Sequence, residues 1–185
     1  GRQMNRYNRG KIADPPPEPK RDFTRAIRTY ESLLTRFPDY PNADTAYYAL
    51  AFTLRMSDEY DKAIAMFRRL AEFFPKSRWV PEAWLLVGEH YFDMGAYAKA
   101  IDAYGEALKF KDHRYYGITL YKTAWAHFQN YEYPTAIGLF KKLISYVDES
   151  PAVDERARAI RSEAVEYLAL SLADDDWNGD GLTDP

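Results

Sequence analysis

Tyr97-Ala-Lys-Ala-Ile-Asp-Ala-Tyr104 sets the reading of the whole chain, because its template returns three more times. The copies are Phe23-Thr-Arg-Ala-Ile-Arg-Thr-Tyr30, Tyr60-Asp-Lys-Ala-Ile-Ala-Met-Phe67 and Tyr133-Pro-Thr-Ala-Ile-Gly-Leu-Phe140. Each reads aromatic, two residues, Ala-Ile, two residues, aromatic. The alanines Ala26, Ala63, Ala100 and Ala136 recur at intervals of 37, 37 and 36 residues, a period that marks a repeat architecture. Leu33, Leu70, Ala107 and Leu143 follow each second aromatic by one further helical step, so one helical face is buried four times. Phe37-Pro38 and Phe74-Pro75 end the first two of these helices, since proline lacks the amide that would continue the ladder.

A partner helix precedes three of the four copies: Ala46-Tyr-Tyr-Ala-Leu-Ala-Phe-Thr-Leu54, Ala83-Trp-Leu-Leu-Val-Gly-Glu-His-Tyr91 and Thr119-Leu-Tyr-Lys-Thr-Ala-Trp-Ala-His127. Each unit is therefore a helical hairpin. Ala51, Gly88 and Ala124 fall at equivalent places in these first helices, where two helix axes approach only if no bulky side chain intervenes. After the fourth unit, Ala164-Val-Glu-Tyr-Leu-Ala-Leu-Ser-Leu172 copies the first-helix pattern once more, with Ala169 as its small residue.

The pattern resembles the tetratricopeptide repeat family. The third unit carries the resemblance best, through Trp84, Val87, Gly88, Tyr91, Gly95, Tyr97, Ala100, Tyr104 and Ala107, with Val87 where the family usually has leucine. The resemblance implies an all-α, right-handed α-solenoid of about four hairpins plus the first helix of a fifth, spanning residues 21–173. Residues 1–20 then form the remnant of a helix and a proline-rich connection, Pro15-Pro-Pro-Glu-Pro19, and residues 174–185 an acidic Asp/Gly-rich tail.

Composition narrows the function classes. Of 185 residues, 46% are hydrophobic and 29% charged, enough apolar surface for a sizeable core. No run approaches the roughly 18 consecutive apolar residues of a membrane helix, and no N-terminal secretory pattern is present. Any targeting signal is expected outside this stretch. A formal net charge of -3 argues against electrostatic capture of nucleic acid or an anionic membrane. Arg68-Arg69 and Lys141-Lys142 read as solvated faces. The absence of cysteine excludes disulfides, zinc-cysteine sites and a cysteine nucleophile without choosing a compartment.

In tetratricopeptide arrays the first helices line a concave groove, and the resemblance implies the same here. Once core positions are set aside, the remaining face carries Tyr48, Phe52 and Arg55, then Leu85, Glu89 and Phe92, then Tyr121, Trp125 and Phe128. Offsets of four and three align each trio along its helix. First helices that are apolar nearly all round need either a second burial partner or a binding role. The expected occupant is an extended or helical peptide or protein partner, its charge selected by Arg55 and Glu89. The alternative is that neighbouring first helices bury these aromatics against one another.

The tail holds a second feature. Asp176, Asn178, Asp180, Gly181 and Asp184, with the Leu182 carbonyl, match the early places of a calcium loop, while the acidic residue of its twelfth place would lie past residue 185. A solvated acidic turn is the competing reading; no other cofactor is implied. No catalytic residue stands out: His90, His113 and His127 have no triad or ligand spacing, and no glycine-rich phosphate loop occurs. His127 reads as a packed helix residue, His90 and His113 as surface or loop residues.

Ala46-Tyr-Tyr-Ala-Leu-Ala-Phe52, Ser77-Arg-Trp-Val-Pro-Glu-Ala-Trp84 and Leu120-Tyr-Lys-Thr-Ala-Trp-Ala126 resemble bacterial cell-envelope tetratricopeptide proteins. These include outer-membrane assembly lipoproteins, Tol-Pal coordinators and the repeat proteins of gliding myxobacteria. That resemblance implies a periplasmic scaffold or adaptor in outer-membrane biogenesis or motility. A recruiting module of a larger enzyme and a calcium-stiffened spacer are the rival expectations.

Overall fold

A computed structural model describes residues 22–149 and 155–173. Eight helices follow in order: α1 (Thr24–Arg36), α2 (Ala43–Met56), α3 (Tyr60–Phe73), α4 (Val80–Asp93), α5 (Tyr97–Leu108), α6 (Tyr116–Gln129), α7 (Tyr133–Glu149) and α8 (Glu155–Leu172). Among the described residues there is no strand. The pairs α2/α3, α4/α5 and α6/α7 form hairpins, and each second helix also packs on the first helix of the next unit, through α3/α4, α5/α6 and α7/α8. Helix α1 is a second helix packed on α2, and α8 is a first helix that touches both α7 and α6.

Two kinds of connection alternate, each with a local cause. Inside a hairpin, the first helix ends with one residue in the left-handed region: Asp58 at φ 64°, Gly95 at φ 69° and Tyr131 at φ 60°. At each of these turns the left-handed residue donates its amide back to Arg55, Phe92 or Phe128. The following amide reaches Leu54, Tyr91 or His127. Carbonyls that the helix end would leave unpaired are thereby satisfied. Between hairpins, α1 and α3 stop one residue before Phe37-Pro38 and Phe74-Pro75. Phe37 and Phe74 leave the helical region, at φ -131°, ψ 69° and φ -130°, ψ 59°, because a following proline ring crowds a helical residue.

The template positions form the interior. Ala63, Ala100 and Ala136, together with Phe67, Tyr104, Phe140, Leu70, Ala107 and Leu143, are buried. The opposing small residues Ala51, Gly88 and Ala124 are buried as well. A Cβ on Gly88 would lie 2.3 Å from the ring of Tyr104, so the axes of α4 and α5 come closer there than an alanine permits. The first and last helices depart from this rule. In α1, Ala26, Tyr30 and Leu33 are only partly covered, and Ala169 on α8 is exposed, although the sequence gives it the same role as Ala51. Neither helix has a described hairpin partner. Residues 1–20 and the tail, on which the remnant helix and calcium expectations rest, lie outside the described residues.

Candidate functional site

Helices α2, α4 and α6 carry the nine residues singled out from the sequence, and the structure sorts them into three environments. Leu85 and Tyr121 are buried. They lie beneath the face on which the sequence places them. The cause is the neighbouring helix in each case: Leu85 joins Ala100, Tyr104 and Ala126 in one apolar cluster, and the Tyr121 hydroxyl donates to Glu163 Oε2 on α8 at 2.8 Å. Burial first, and then the Glu163 contact, pushes the Tyr121 phenol well above its ordinary pKa.

Tyr48, Phe92, Trp125 and Phe128 are half-buried in aromatic contacts that run from one helix to the next. Tyr48 stacks on Trp79 with centroids 4.4 Å apart, and Trp79 Nε1 donates to Thr45 Oγ1 at 3.0 Å. Burial, followed by the carboxylate of Glu82, pushes the Tyr48 phenol up. Phe92 of α4 meets Trp125 of α6 at 4.8 Å, and Trp125 and Phe128 meet Tyr167 of α8 at 5.9 and 5.5 Å. The indole N–H of Trp125 is buried without an acceptor among the described residues. Neighbouring first helices do cover much of this aromatic surface, as the alternative reading has it.

Phe52, Arg55 and Glu89 remain open to solvent to a useful degree. Phe52 is 39% exposed and stacks at 6.2 Å on Tyr48. Glu89 is approached by a cation from each side: Arg55 Nη2 of α2 lies 3.7 Å from Oε2, and Lys122 Nζ of α6 lies 3.0 Å from Oε1. Arg55 and Glu89, expected to select the charge of a partner, are thus paired with each other. Two cations share one carboxylate, so the row that crosses α2, α4 and α6 carries an excess positive charge. A second pair, Glu82 with Arg114 at 3.8 Å, is balanced.

Trp79, Glu82, Lys122, Glu163 and Tyr167 belong to this surface and were not found from the sequence. Trp79 precedes α4 and follows no repeat position. Lys122 and Tyr167 occupy equivalent places one step beyond the aligned trios, where α2 and α4 carry Ala49 and Leu86, so alignment of the first helices gives no signal there.

The three histidines have local roles. His127 is mostly covered, and its Nδ1 contacts the Glu132 carboxylate. His90 stacks on Tyr60 at 5.0 Å, and His113 sits before α6 against Tyr115 at 5.1 Å. Burial, then Arg114, lowers the His113 pKa. Among the described residues no cluster of His, Cys, Asp and Glu has the makings of a metal site, and no helix is long and apolar enough to cross a membrane. The proposed calcium residues Asp176, Asn178, Asp180, Leu182 and Asp184 lie outside the described residues.

No curated protein matches the sequence. Two solved structures of the nearly identical TPR-like repeats of a kinesin light chain candidate from Podosopora anserina, one of them a single-residue variant, are similar in fold. Each superposes with a TM-score of 0.59 at 11% identity, covering 96% of this chain and 83% of theirs. Family models described as tetratricopeptide repeat match residues 20–78, 81–113 and 119–150. The hairpin register, the left-handed closing turns and these matches agree: the chain belongs to the tetratricopeptide repeat family, whose repeats serve protein–protein interaction.

Proposed function

We propose that the face shared by α2, α4 and α6 holds a segment of a partner protein, and that the segment presents an apolar or aromatic side chain next to an acidic one. One observation carries the reading: the exposed Phe52 ring adjoins the row Arg55–Glu89–Lys122, in which two cations share a single carboxylate. An incoming carboxylate meets that excess charge, and an apolar side chain covers Phe52, an arrangement in which a charged group fixes register while the aromatic contributes contact area. The half-buried rings on either side hold the surface rigid, so little order is lost on binding. The partner proposed is a component of a bacterial cell-envelope complex, on the resemblance of the first-helix phrases.

A displayed random-peptide library panned against the chain tests the proposal. Peptides that combine an aromatic or large apolar residue with Asp or Glu are expected, and Phe52→Ala and Arg55→Ala should each weaken them by roughly five- to thirty-fold, equivalent to about 1–2 kcal/mol. Both residues are at the surface of the array, so circular dichroism should be unchanged. Failure to enrich any peptide, or enriched peptides indifferent to both substitutions, would remove this face from consideration.

A further inference from the structure

The connections α1–α2, α3–α4 and α5–α6 share one backbone and differ in charge. In each, the carbonyl of Phe37, Phe74 or Phe110 accepts from the amide three residues on, at Tyr40, Ser77 or His113. The carbonyl of that residue in turn accepts from Ala43, Val80 or Tyr116. The first connection makes these turns with Pro38-Asp-Tyr-Pro-Asn42 and no basic residue, and Asp39 stands where the second has Lys76. The second, Pro75-Lys-Ser-Arg-Trp79, and the third, Lys111-Asp-His-Arg-Tyr115, each carry two. Turn formation therefore has no need of those cations.

Charge collects where the second and third connections meet. A cavity of about 590 Å³ is lined by Lys76, Arg78, Lys109 and Lys111 together with Pro81 and Phe110, and Asp112 is the carboxylate on its wall. Lys109 is matched by Glu106 at 2.6 Å. Lys76, Arg78 and Lys111 are exposed and form no ion pair among the described residues, so a chain of net charge -3 carries a positive surplus at this corner. The Arg78 guanidinium lies over the Trp79 ring, 4.5 Å from its centroid, and Trp79 stacks on Tyr48, so one cation is held in place before a guest arrives. The adjoining opening, which shares Lys109 and Phe110, is balanced: Arg68 and Lys109 face Glu72 and Glu106. The surplus is thus confined to the two connections.

We propose that this notch binds a run of carboxylates, in a short Asp/Glu-rich segment of a partner protein that carries an apolar side chain among its acids. Long cationic side chains from two separate connections suit several charges spaced along an extended segment, whereas a single phosphoryl group is gripped by donors that converge on one point. Phe110 and Pro81 supply the apolar contact. The cations stop at the first connection, so they make a patch and not the long track that a nucleic-acid backbone engages. The notch adjoins the start of α4 at Val80, about 13 Å along that helix from Glu89. It is therefore separate from the row Arg55–Glu89–Lys122 and does not depend on the function proposed for that face.

Fluorescence polarisation of a fluorescein-labelled Glu-Glu-Leu-Glu-Glu peptide against the 185-residue chain tests this. Binding is expected at low salt and should weaken as added salt screens the cations. Lys76→Glu with Lys111→Glu should reduce affinity roughly ten-fold or more, and Lys76→Gln with Lys111→Gln about three-fold, with circular dichroism unchanged. Arg69→Glu with Lys141→Glu alters the net charge as much as the first pair does, at exposed sites elsewhere, and should leave the affinity within about two-fold. Peptides selected on the α2/α4/α6 face should bind the Lys76 and Lys111 variants as before, so either surface can fail without the other. Absence of binding at low salt overturns the proposal. An equal loss in the two charge-reversed pairs does the same, because the effect is then one of overall charge. Two competitors match the four charges of the probe: a peptide with two phosphoserines in place of the glutamates, and a five-nucleotide single-stranded DNA. Displacement of the probe by either at lower concentration than by the unlabelled peptide would overturn the assignment to a carboxylate segment.

Discussion

Tyr131 is held at φ 60° with its side chain 81% exposed, a conformation that costs a residue with a Cβ about 1 kcal/mol or more and that glycine adopts without strain. Gly95 fills the equivalent turn of the preceding hairpin and Asp58 the one before. Tyr131→Gly is therefore expected to raise stability by roughly 0.5–1 kcal/mol, and Gly95→Ala to lower it by about 1 kcal/mol, both read from urea denaturation. Next to Tyr131, Glu132 has its pKa lowered by its hydrogen bond with His127 and, less, with Asn130. A carboxylate whose folded pKa is depressed contributes stability that is complete above its unfolded value and is lost as pH falls through the folded one. Glu132 is largely exposed, so the contribution is small. Glu132→Gln should leave melting at neutral pH nearly unchanged and reduce the loss of melting temperature below the ordinary glutamate range near 4.5.

At the scale of the element, a first and a second helix recognise each other by size. Ala51 and Phe67 belong to one buried cluster and Ala124 and Phe140 to another, and Gly88 faces the buried Tyr104 so closely that no Cβ fits. Gly88→Ala should cost roughly 1–3 kcal/mol, because the Tyr104 ring is enclosed and has nowhere to turn; equilibrium denaturation of that single variant checks it. Much of this was legible in the sequence. The alanine-and-aromatic template marked every second helix from α1 to α7, and the prolines after Phe37 and Phe74 marked two of the ends, since both signals act within a turn or two of chain. Ala169 shows the limit. Its surroundings in sequence copy those of Ala51, yet burial needs a second helix to cover it, and no described helix does.

Across the whole molecule, each hairpin leans on its neighbours, so stability is close to a sum of unit and interface terms. The central units, with fully buried template positions, should outlast the ends. Hydrogen exchange is expected to show the amides of α1 and α8 exchanging before those of α4 and α5. Uniform protection across all eight helices would mean that the array opens only as one body. The candidate site depends on this same stacking. From the sequence by itself came the repeat, the hairpins, the proline stops and a face richer in aromatics than one interior can use, because periodicity is a property of neighbours along the chain. Tertiary structure alone decided that Leu85 and Tyr121 are covered, that Arg55 and Lys122 converge on Glu89, and that Trp79 lies on Tyr48. Those contacts join residues far apart along the chain, or bury a residue under a different unit, and only the separation and tilt of successive helices fixes which of them form.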